Sequence, residues 1–349
     1  MNPRSFIAFS IVTAALVVAA FVAVSLRPAS TLIAKDRELV FGGLDARINE
    51  VAAIEVATSE RTFTVTRTDD GWGIKELKGY PAKFEKVKTA LVELSQLRYL
   101  EAKTSDPERF HRLQLRDVTV KDSKSRRVTV RDKDGKVLAE GLMGRRNESL
   151  FGTGKGGTYI RVGGKKQTWL VEGIVRLGDG PPDWISKKLP DLKSELVKSI
   201  VIISPKGGGV VVKRKTAKDK DFTLDDVPPG KRQRGQWETN QMPKAMEGVE
   251  LIDIRRADEV PFPENGTYKG RLETFLGLVL HTEAAKIGKK FWVRLSASAD
   301  AGDEDTKELA EDINTRFKGY VFEIPEEPGK KLTCEHINLL EGAGIRACA

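Results

Sequence analysis

The feature that most constrains this chain is an uncharged apolar run close to its start. Residues Phe6 to Leu26 contain no Asp, Glu, Lys or Arg and consist mostly of Ala, Val, Ile, Leu and Phe. At a rise of about 1.5 Å per residue, a helix of this length spans about 30 Å, the hydrocarbon thickness of a bilayer. The run therefore predicts one transmembrane helix at 6–26, within an N-terminal membrane anchor at 1–30.

The flanking residues bear on the direction and the fate of this segment. Arg4 precedes it and Arg27 follows it, so the positive-inside rule discriminates weakly, although so short a leader normally stays in the cytoplasm. A cleavable signal peptide is the alternative, because Ala23-Val24-Ser25 fits a small-x-small cleavage site. The apolar region of a signal peptide is typically only about 7 to 15 residues long. An uncleaved signal anchor is therefore favoured, with the body outside the cytoplasm.

The composition of the chain is that of a globular protein with a basic excess. A hydrophobic content of 40% and only 2 Cys among 349 residues exclude disordered, collagen-like and disulfide-dense classes. The net charge of +9 falls to +7 when Arg4 and Arg27 of the anchor are set aside. Charges in the body are dispersed and mostly alternate in sign, as in 213–221 (KRKTAKDKD). This pattern is typical of a solvated surface, and we expect no nucleic-acid partner.

Hydrophobic periodicity in the first half predicts strands around one principal helix. The apolar residues of 84–94 recur at helical spacing after Pro81, which predicts a helix that runs to about Leu97. Elsewhere, apolar and polar residues alternate as in half-buried strands. Strands are predicted at 51–58, 62–66, 72–77, 98–102, 127–132, 137–143, 158–162 and 167–171.

The second half repeats this order at an offset of roughly 145 to 165 residues, which is too long for a solenoid. The segment 199–214 (SIVIISPKGGGVVVKR) resembles 53–67 (AIEVATSERTFTVTR), and Trp237 then corresponds to Trp72. An amphipathic helix is expected at about 305–317, followed by a strand at 320–324. Core packing is the expected role of the tryptophans, namely Trp72, Trp169, Trp184, Trp237 and Trp292.

Together these patterns predict a strand-rich α+β fold. Two tandem related α/β lobes with mostly antiparallel sheets are expected after the N-terminal transmembrane helix. The predicted organisation is an anchor at 1–30, a linker at 31–39, a first repeat lobe at 40–192, a second repeat lobe at 193–332 and a C-terminal tail at 333–349.

Both cysteines, Cys334 and Cys348, lie in the C-terminal tail. In an oxidising compartment such a pair forms a disulfide. Two unpaired thiols are an alternative. A metal site that includes His336 is less favoured, because zinc sites of this kind need a fourth ligand.

Motifs that carry known chemistry are missing from the sequence. It contains no dinucleotide fingerprint, G-x-S-x-G or H-E-x-x-H motif. The glycine-rich run 152–158 lacks phosphate-loop spacing and precedes a predicted strand, so it predicts a hairpin loop. The histidines, His111, His281 and His336, lie far apart in the sequence. We therefore predict no catalytic residue, no cofactor and no metal.

Four residues best fit a ligand or partner loop, one glycine and three arginines. Gly144, Arg145, Arg146 and Arg161 are expected in loops. An arginine fork at such a place holds a carboxylate or a phosphate by two parallel hydrogen bonds.

The order of several short motifs resembles the family of unknown function numbered forty-three forty, over about residues 40 to 340. Its closing helix-to-strand signature is similar to Phe317-Lys318-Gly319-Tyr320-Val321-Phe322-Glu323-Ile324-Pro325. The preceding motifs are Trp72, Gly79-Tyr80-Pro81-Ala82, Asp134-Gly135-Lys136-Val137-Leu138, Gly144-Arg145-Arg146, Gly157-Thr158-Tyr159-Ile160-Arg161 and Asp183-Trp184.

This resemblance implies a bacterial protein with one membrane helix, often encoded beside the permease, ATPase and auxiliary components of gliding-motility-type ABC transporters. It implies no catalytic residues. We therefore expect a non-enzymatic accessory or binding protein of the inner membrane with a periplasmic body, whose partners are a transporter permease or auxiliary subunits. The alternatives are an envelope scaffold that binds peptidoglycan or anionic lipid, and a hydrolase with an unrecognised site.

Overall fold

The computed structural model describes Thr13 and residues 38–69, 71–150, 156–299, 301–342 and 348. Apart from Thr13, the predicted span at 6–26 lies outside the described residues. Among the helices that the structure describes, none is both long enough and apolar enough to cross a membrane.

The first part of the chain alternates short strands with one long helix. Its elements are β1 (Val51–Ala57), β2 (Thr62–Thr68), β3 (Gly71–Ile74), β4 (Tyr80–Pro81), α1 (Phe84–Ser95), β5 (Arg98–Ala102), β6 (Arg126–Asp132), β7 (Val137–Asn147), β8 (Gly157–Val162) and β9 (Thr168–Glu172). Short 3-10 helices lie at Ile48–Glu50, Lys75–Leu77, Pro107–Leu113 and Pro181–Asp183.

The second part contains longer strands and three helices. Its elements are β10 (Val197–Ile203), β11 (Gly209–Lys213), β12 (Thr223–Leu224), α2 (Gln236–Gln241), β13 (Asp253–Arg256), β14 (Thr267–Thr274), β15 (Val279–Ile287), β16 (Lys290–Ser298), α3 (Glu304–Phe317), β17 (Tyr320–Ile324) and α4 (Glu326–Leu332). Further 3-10 helices lie at Met242–Met246, Glu264–Gly266 and His336–Leu339.

The strands form two antiparallel sheets, of nine and eight strands. The prediction of a strand-rich α+β fold with antiparallel sheets is therefore confirmed. Contacts divide the described residues into two compact units, one within Met1–Thr62 and Lys88–Leu177 and the other within Phe63–Val87 and Gly178–Ala349. These units do not test the predicted lobes at 40–192 and 193–332, which stay a prediction.

In the first unit, six strands are neighbours in the order β1-β6-β7-β8-β9-β5. Alternation along the strands separates a fully buried set, such as Ile54, Val128 and Ile160, from residues on the opposite face. Register aligns Ala57 with Arg127, Arg127 with Leu142, and Leu142 with Arg161. On this opposite face, Arg127 and Arg161 therefore lie on either side of Leu142.

In the second unit, the eight strands of one sheet follow the order β12-β11-β10-β14-β15-β16-β17-β13. Three strands of the nine-stranded sheet also belong to this unit, in the order β4-β3-β2. Helix α3 packs on β16. There the Asn314 side-chain amide donates a hydrogen bond to Ala297 O and accepts one from Ala297 N–H, and both donor–acceptor distances are 2.8 Å. The Tyr80 and Tyr320 rings meet edge to face at 4.9 Å.

One predicted correspondence between the halves is wrong. Trp72 lies buried on β3, whereas Trp237 lies on the short helix α2 with 61% of its surface exposed. The correspondence of Trp237 to Trp72 and the core role expected for Trp237 are therefore both wrong. The other four tryptophans are buried as predicted, namely Trp72, Trp169, Trp184 and Trp292.

Candidate functional site

A segment without long regular structure, 104–125, lies over the opposite face of the first unit's sheet. Its apolar residues Phe110, Leu115 and Val118 form a buried cluster with Ala57 and Leu142 of the sheet. Burial of these apolar side chains stabilises the packing of the segment on the sheet. The segment thus forms a second layer beside the row of two arginines.

Local hydrogen bonds determine the shape of this segment. Asp106 caps its 3-10 helix by accepting a hydrogen bond from the Glu108 N–H at 3.0 Å. The helix ends at Leu113, and the next residue, Gln114, reverses the chain with a left-handed φ of 56°. The N–H of Leu115 then donates to Phe110 O at 2.9 Å, so both apolar side chains of this turn belong to the buried cluster.

The next turn places a carboxylate beside the arginines. Asp117 Oδ1 accepts hydrogen bonds from the N–H and the hydroxyl of Thr119, each at 3.1 Å. The Thr119 N–H is the largest cause that lowers the pKa of Asp117, and the positive charges of Arg127 and Arg161 lower it further. Asp117 is therefore ionised at neutral pH.

A cavity of about 70 Å³ opens between this turn and strands β6, β7 and β8. We name it the Arg127–Arg161 cavity. Its charged lining consists of Asp117, Arg127, Glu140 and Arg161. The remaining lining is apolar or glycine: Gly141, Leu142, Val162, Gly163 and Gly164.

The Arg161 side chain is largely enclosed. Its side chain is 19% exposed, and its Nη2 lies 3.8 Å from Asp117 Oδ2, which is too far for a hydrogen bond. The guanidinium carbon lies 5.0 Å from the centre of the Phe110 ring, a cation–π contact. Its Nε is buried and has no hydrogen-bond partner among the described residues.

The structure places the predicted ligand residues on strands and not in a loop. Gly144, Arg145 and Arg146 lie on β7, where the pairing with β8 shifts register between Met143 and Arg146, and Arg161 lies on β8. Of the four, Arg161 lines the Arg127–Arg161 cavity. The ligand role of the others stays a prediction.

The other predicted residues have different surroundings. Gly144 is buried, and a Cβ there would overlap Leu113 O and approach Gln114 O to 2.9 Å. Gly144 therefore lets the 104–125 segment come close to β7. The Arg145 guanidinium lies 5.2 Å from the Tyr159 ring centre, and Arg146 Nε lies 3.9 Å from Glu148 Oε1.

Sequence reasoning missed Arg127 and the 104–125 segment. Alternation in 126–131 (RRVTVR) does place Arg127 on the face opposite Val128 and Val130. That signal is shared by many exposed arginines in strands. Only the pairing of β6 with β7 and of β7 with β8 brings Arg127 and Arg161 to one cavity.

Two larger cavities have charged groups that pair with each other. One, of about 520 Å³ in the first unit, contains Arg176, which donates to Glu93 Oε1 at 3.3 Å. The other, of about 410 Å³ in the second unit, contains Arg294, which donates to Glu283 Oε2 at 3.3 Å. Each of these arginines donates to a carboxylate, although Arg294 Nε and Thr282 Oγ1 of the second cavity are buried without a partner among the described residues. The smaller cavity is the better candidate site because neither of its two arginines has a carboxylate within hydrogen-bond distance among the described residues.

The remaining groups considered in the sequence are spread over the molecule. His111 Nδ1 donates to Glu108 O at 2.7 Å and His336 Nε2 donates to Asp225 O at 3.1 Å, while His281 Nε2 lies 3.2 Å from Ser298 Oγ. No group of three His, Cys, Asp or Glu side chains within the described ranges is arranged to hold a metal ion. Most of the glycine-rich run 152–158 lies outside the described residues.

Cys334 and Cys348 form a disulfide, with their Cα atoms 5.6 Å apart. Both residues are buried. The covalent link therefore joins Cys348 to Cys334, which lies two residues after the end of α4 in the second unit.

Comparison with known proteins identifies one family. The sequence model of a family described as a domain of unknown function, DUF4340, matches residues 72–258. No curated protein and no solved structure matches the chain. The match covers the whole 104–125 segment, the whole Arg127–Arg161 cavity and the start of the second sheet.

Proposed function

This chain belongs to the DUF4340 family, and from that premise we propose that it is a membrane-anchored, extracytoplasmic and non-enzymatic accessory protein of a gliding-motility-type ABC transporter system. The proposal includes the transmembrane helix at 6–26, a periplasmic body at the bacterial inner membrane and two related tandem lobes. The partners would be the permease or the auxiliary subunits of the transporter.

The disulfide between Cys334 and Cys348 is the observation that carries the extracytoplasmic placement. Disulfides persist in oxidising compartments such as the bacterial periplasm and are rare in the reducing cytoplasm. The uncharged run at 6–26 supports the same placement, because a single span with a short leader delivers the following body across the membrane.

The chemistry of the candidate site supports a binding role over catalysis. Guanidinium groups stay protonated at all accessible pH values and do not serve as bases. The lowered pKa of Asp117 makes this carboxylate a poor proton donor or acceptor near neutral pH, where efficient general acids and bases titrate. Fixed charges of this kind hold a partner group and leave its bonds unchanged.

The proposal is tested by brief cross-linking in cells, followed by affinity purification of the full-length chain and mass spectrometry. Permease, ATPase and auxiliary subunits should be recovered in near-stoichiometric amounts. The matched control is an unrelated single-pass protein with a periplasmic body, the same tag and the same expression level. Recovery of transporter subunits no higher than with this control would refute the accessory role.

A thiol readout in the same cells separates location from partnership. With rapid alkylation before lysis, Cys334 and Cys348 should resist modification until a reductant is added. Alkylation of both thiols without reductant would place the body in a reducing compartment and would contradict the periplasmic placement, whatever the cross-linking result.

A further inference from the structure

We propose that the Arg127–Arg161 cavity binds one carboxylate group of an external ligand. This inference goes beyond the accessory role and does not depend on it. It rests on two guanidinium groups that line one small cavity and on the donors that they leave without acceptors.

The unused donors are the first step. Among the described residues, neither Arg127 nor Arg161 donates a side-chain hydrogen bond within the chain. Of their donors, Arg161 Nε is also buried without a partner. A guanidinium offers five N–H donors in a planar fork. Leaving a buried donor without an acceptor is unfavourable, so an acceptor from outside the chain would stabilise this arrangement.

Asp117 does not satisfy these donors. Its Oδ1 accepts both hydrogen bonds from Thr119, and its Oδ2 stays 3.8 Å from Arg161 Nη2. Asp117 therefore balances the charge of Arg161 at a distance but leaves the N–H groups open. Glu140, the other carboxylate of the lining, lies against Gly163, where an added Cβ would come within 3.2 Å of the Glu140 carboxyl.

The size and the charge of the cavity select the ligand class. A volume of about 70 Å³ is roughly that of two water molecules, so it admits one small group. The two lining carboxylates cancel most of the positive charge of the two arginines, so the cavity offers little excess charge to balance a second negative charge on the ligand. A planar carboxylate also matches the two parallel donors of a guanidinium fork.

The donors are held on rigid elements before any ligand arrives. Arg127 on β6 and Arg161 on β8 lie on either side of Leu142 on β7. The Phe110 ring lies under the Arg161 guanidinium at 5.0 Å and is itself buried in the apolar cluster. Such preorganisation lowers the conformational entropy that binding has to overcome.

Isothermal titration calorimetry of the full-length protein in detergent micelles tests the proposal, with sodium acetate as the probe and inorganic phosphate as the competing oxyanion. Acetate should bind at one site and more tightly than phosphate. Arg161→Gln and Arg127→Gln should each weaken acetate binding by about tenfold or more, the usual effect of losing a charge-assisted hydrogen bond.

Arg131→Gln is the matched control, because it removes one positive charge from the same strand, β6, and Arg131 donates to Gly135 O outside the cavity. Acetate affinity should change less than about twofold in this variant. Arg161→Lys keeps the charge but loses the fork, and its affinity should fall between those of the native protein and Arg161→Gln.

Three results would overturn the inference: no acetate binding at millimolar concentration, equal losses in Arg131→Gln and Arg161→Gln, or tighter binding of phosphate than of acetate. Unfolding midpoints are measured for every variant. If Arg161→Gln does not fold, the acetate affinity of Arg127→Gln decides the test. Among the described residues, Arg127 is not a member of the buried apolar cluster, so its replacement should leave the fold intact. Transporter recovery in the cross-linking experiment is a separate outcome.

Discussion

Arg161 differs from the arginines of β7 in how its guanidinium is held. Arg145 and Arg146 are exposed, and each has a contact on the surface, with Tyr159 and Glu148 respectively. Arg161 is mostly covered and stacks on Phe110. Enclosure strengthens electrostatic interactions because water screens them less. The burial of Arg161 therefore distinguishes it from Arg145 and Arg146. A position next to Gly144 in the sequence does not identify the enclosed arginine.

Gly144 has a structural role that a single substitution tests. In Gly144→Ala, the new Cβ would overlap Leu113 O, so the 104–125 segment has to move away from β7. We expect the free energy of unfolding to fall by about 1 to 3 kcal/mol, the usual cost of overpacking. Urea unfolding followed by circular dichroism measures it.

Gly42→Ala is the control for this substitution. Gly42 is exposed, and a Cβ there would meet no atom within 4 Å, so the change should stay within about 0.5 kcal/mol. An equal loss of stability in both variants would show that close packing at Gly144 is not the cause.

At the scale of elements, helix α3 illustrates how local sequence determines a boundary. The expected helix at 305–317 is Glu304–Phe317 in the structure. Its first residue follows Asp303, which accepts a hydrogen bond from the Thr306 N–H at 2.9 Å. This N-cap satisfies a donor that the first turn leaves without a partner. Both the periodicity and the cap are readable from the sequence.

The cap makes stability depend on acid pH. Hydrogen bonds from the Thr306 hydroxyl and N–H hold the pKa of Asp303 below its ordinary value of 3.8. Because the folded pKa is lower than the unfolded one, this stabilisation is complete above the unfolded pKa. It is lost as the pH falls through the folded pKa.

We therefore expect Asp303→Ala to lower the urea midpoint at neutral pH and to lose this difference from the native protein in strong acid. Asp303→Asn should retain most of the cap at every pH, because an amide oxygen also accepts the hydrogen bond and does not titrate. A constant difference between Asp303→Ala and the native protein across the acid range would contradict the assignment. Chemical unfolding at a series of pH values provides the measurement.

Elements without periodicity are the ones that the sequence does not predict. The 3-10 helix Pro107–Leu113 has no repeated apolar spacing, and its shape depends on the cap at Asp106 and the left-handed Gln114. The pattern of the second half also did not predict strand β14, at Thr267–Thr274 in the structure. Partner strands decided these boundaries, because ladder hydrogen bonds and burial outweigh weak local preference.

At the scale of the whole molecule, the disulfide should contribute measurably to stability. Cys334 and Cys348 are separated by 14 residues, and closing a loop of about 15 residues is worth about 3 kcal/mol in the chain-entropy model. We expect a reductant to lower the free energy of unfolding of the native chain by about this amount. Urea titrations with and without dithiothreitol measure the effect.

The double variant Cys334→Ser with Cys348→Ser is the control for the reductant. It should be less stable than the oxidised native chain and should show no response to dithiothreitol. A native chain whose unfolding is equally insensitive to dithiothreitol would argue against a stabilising disulfide.

The sequence by itself determined the fold class, most strands of the first half and both long helices, because alternation and helical spacing depend on near neighbours along the chain. It also carried the motif order of the family. It did not determine the surroundings of Arg127, Arg161 or Trp237. Those depend on strand register and on the packing of the 104–125 segment, which join residues far apart in the chain. Only the tertiary structure decided that two arginines share one cavity while Trp237 lies exposed.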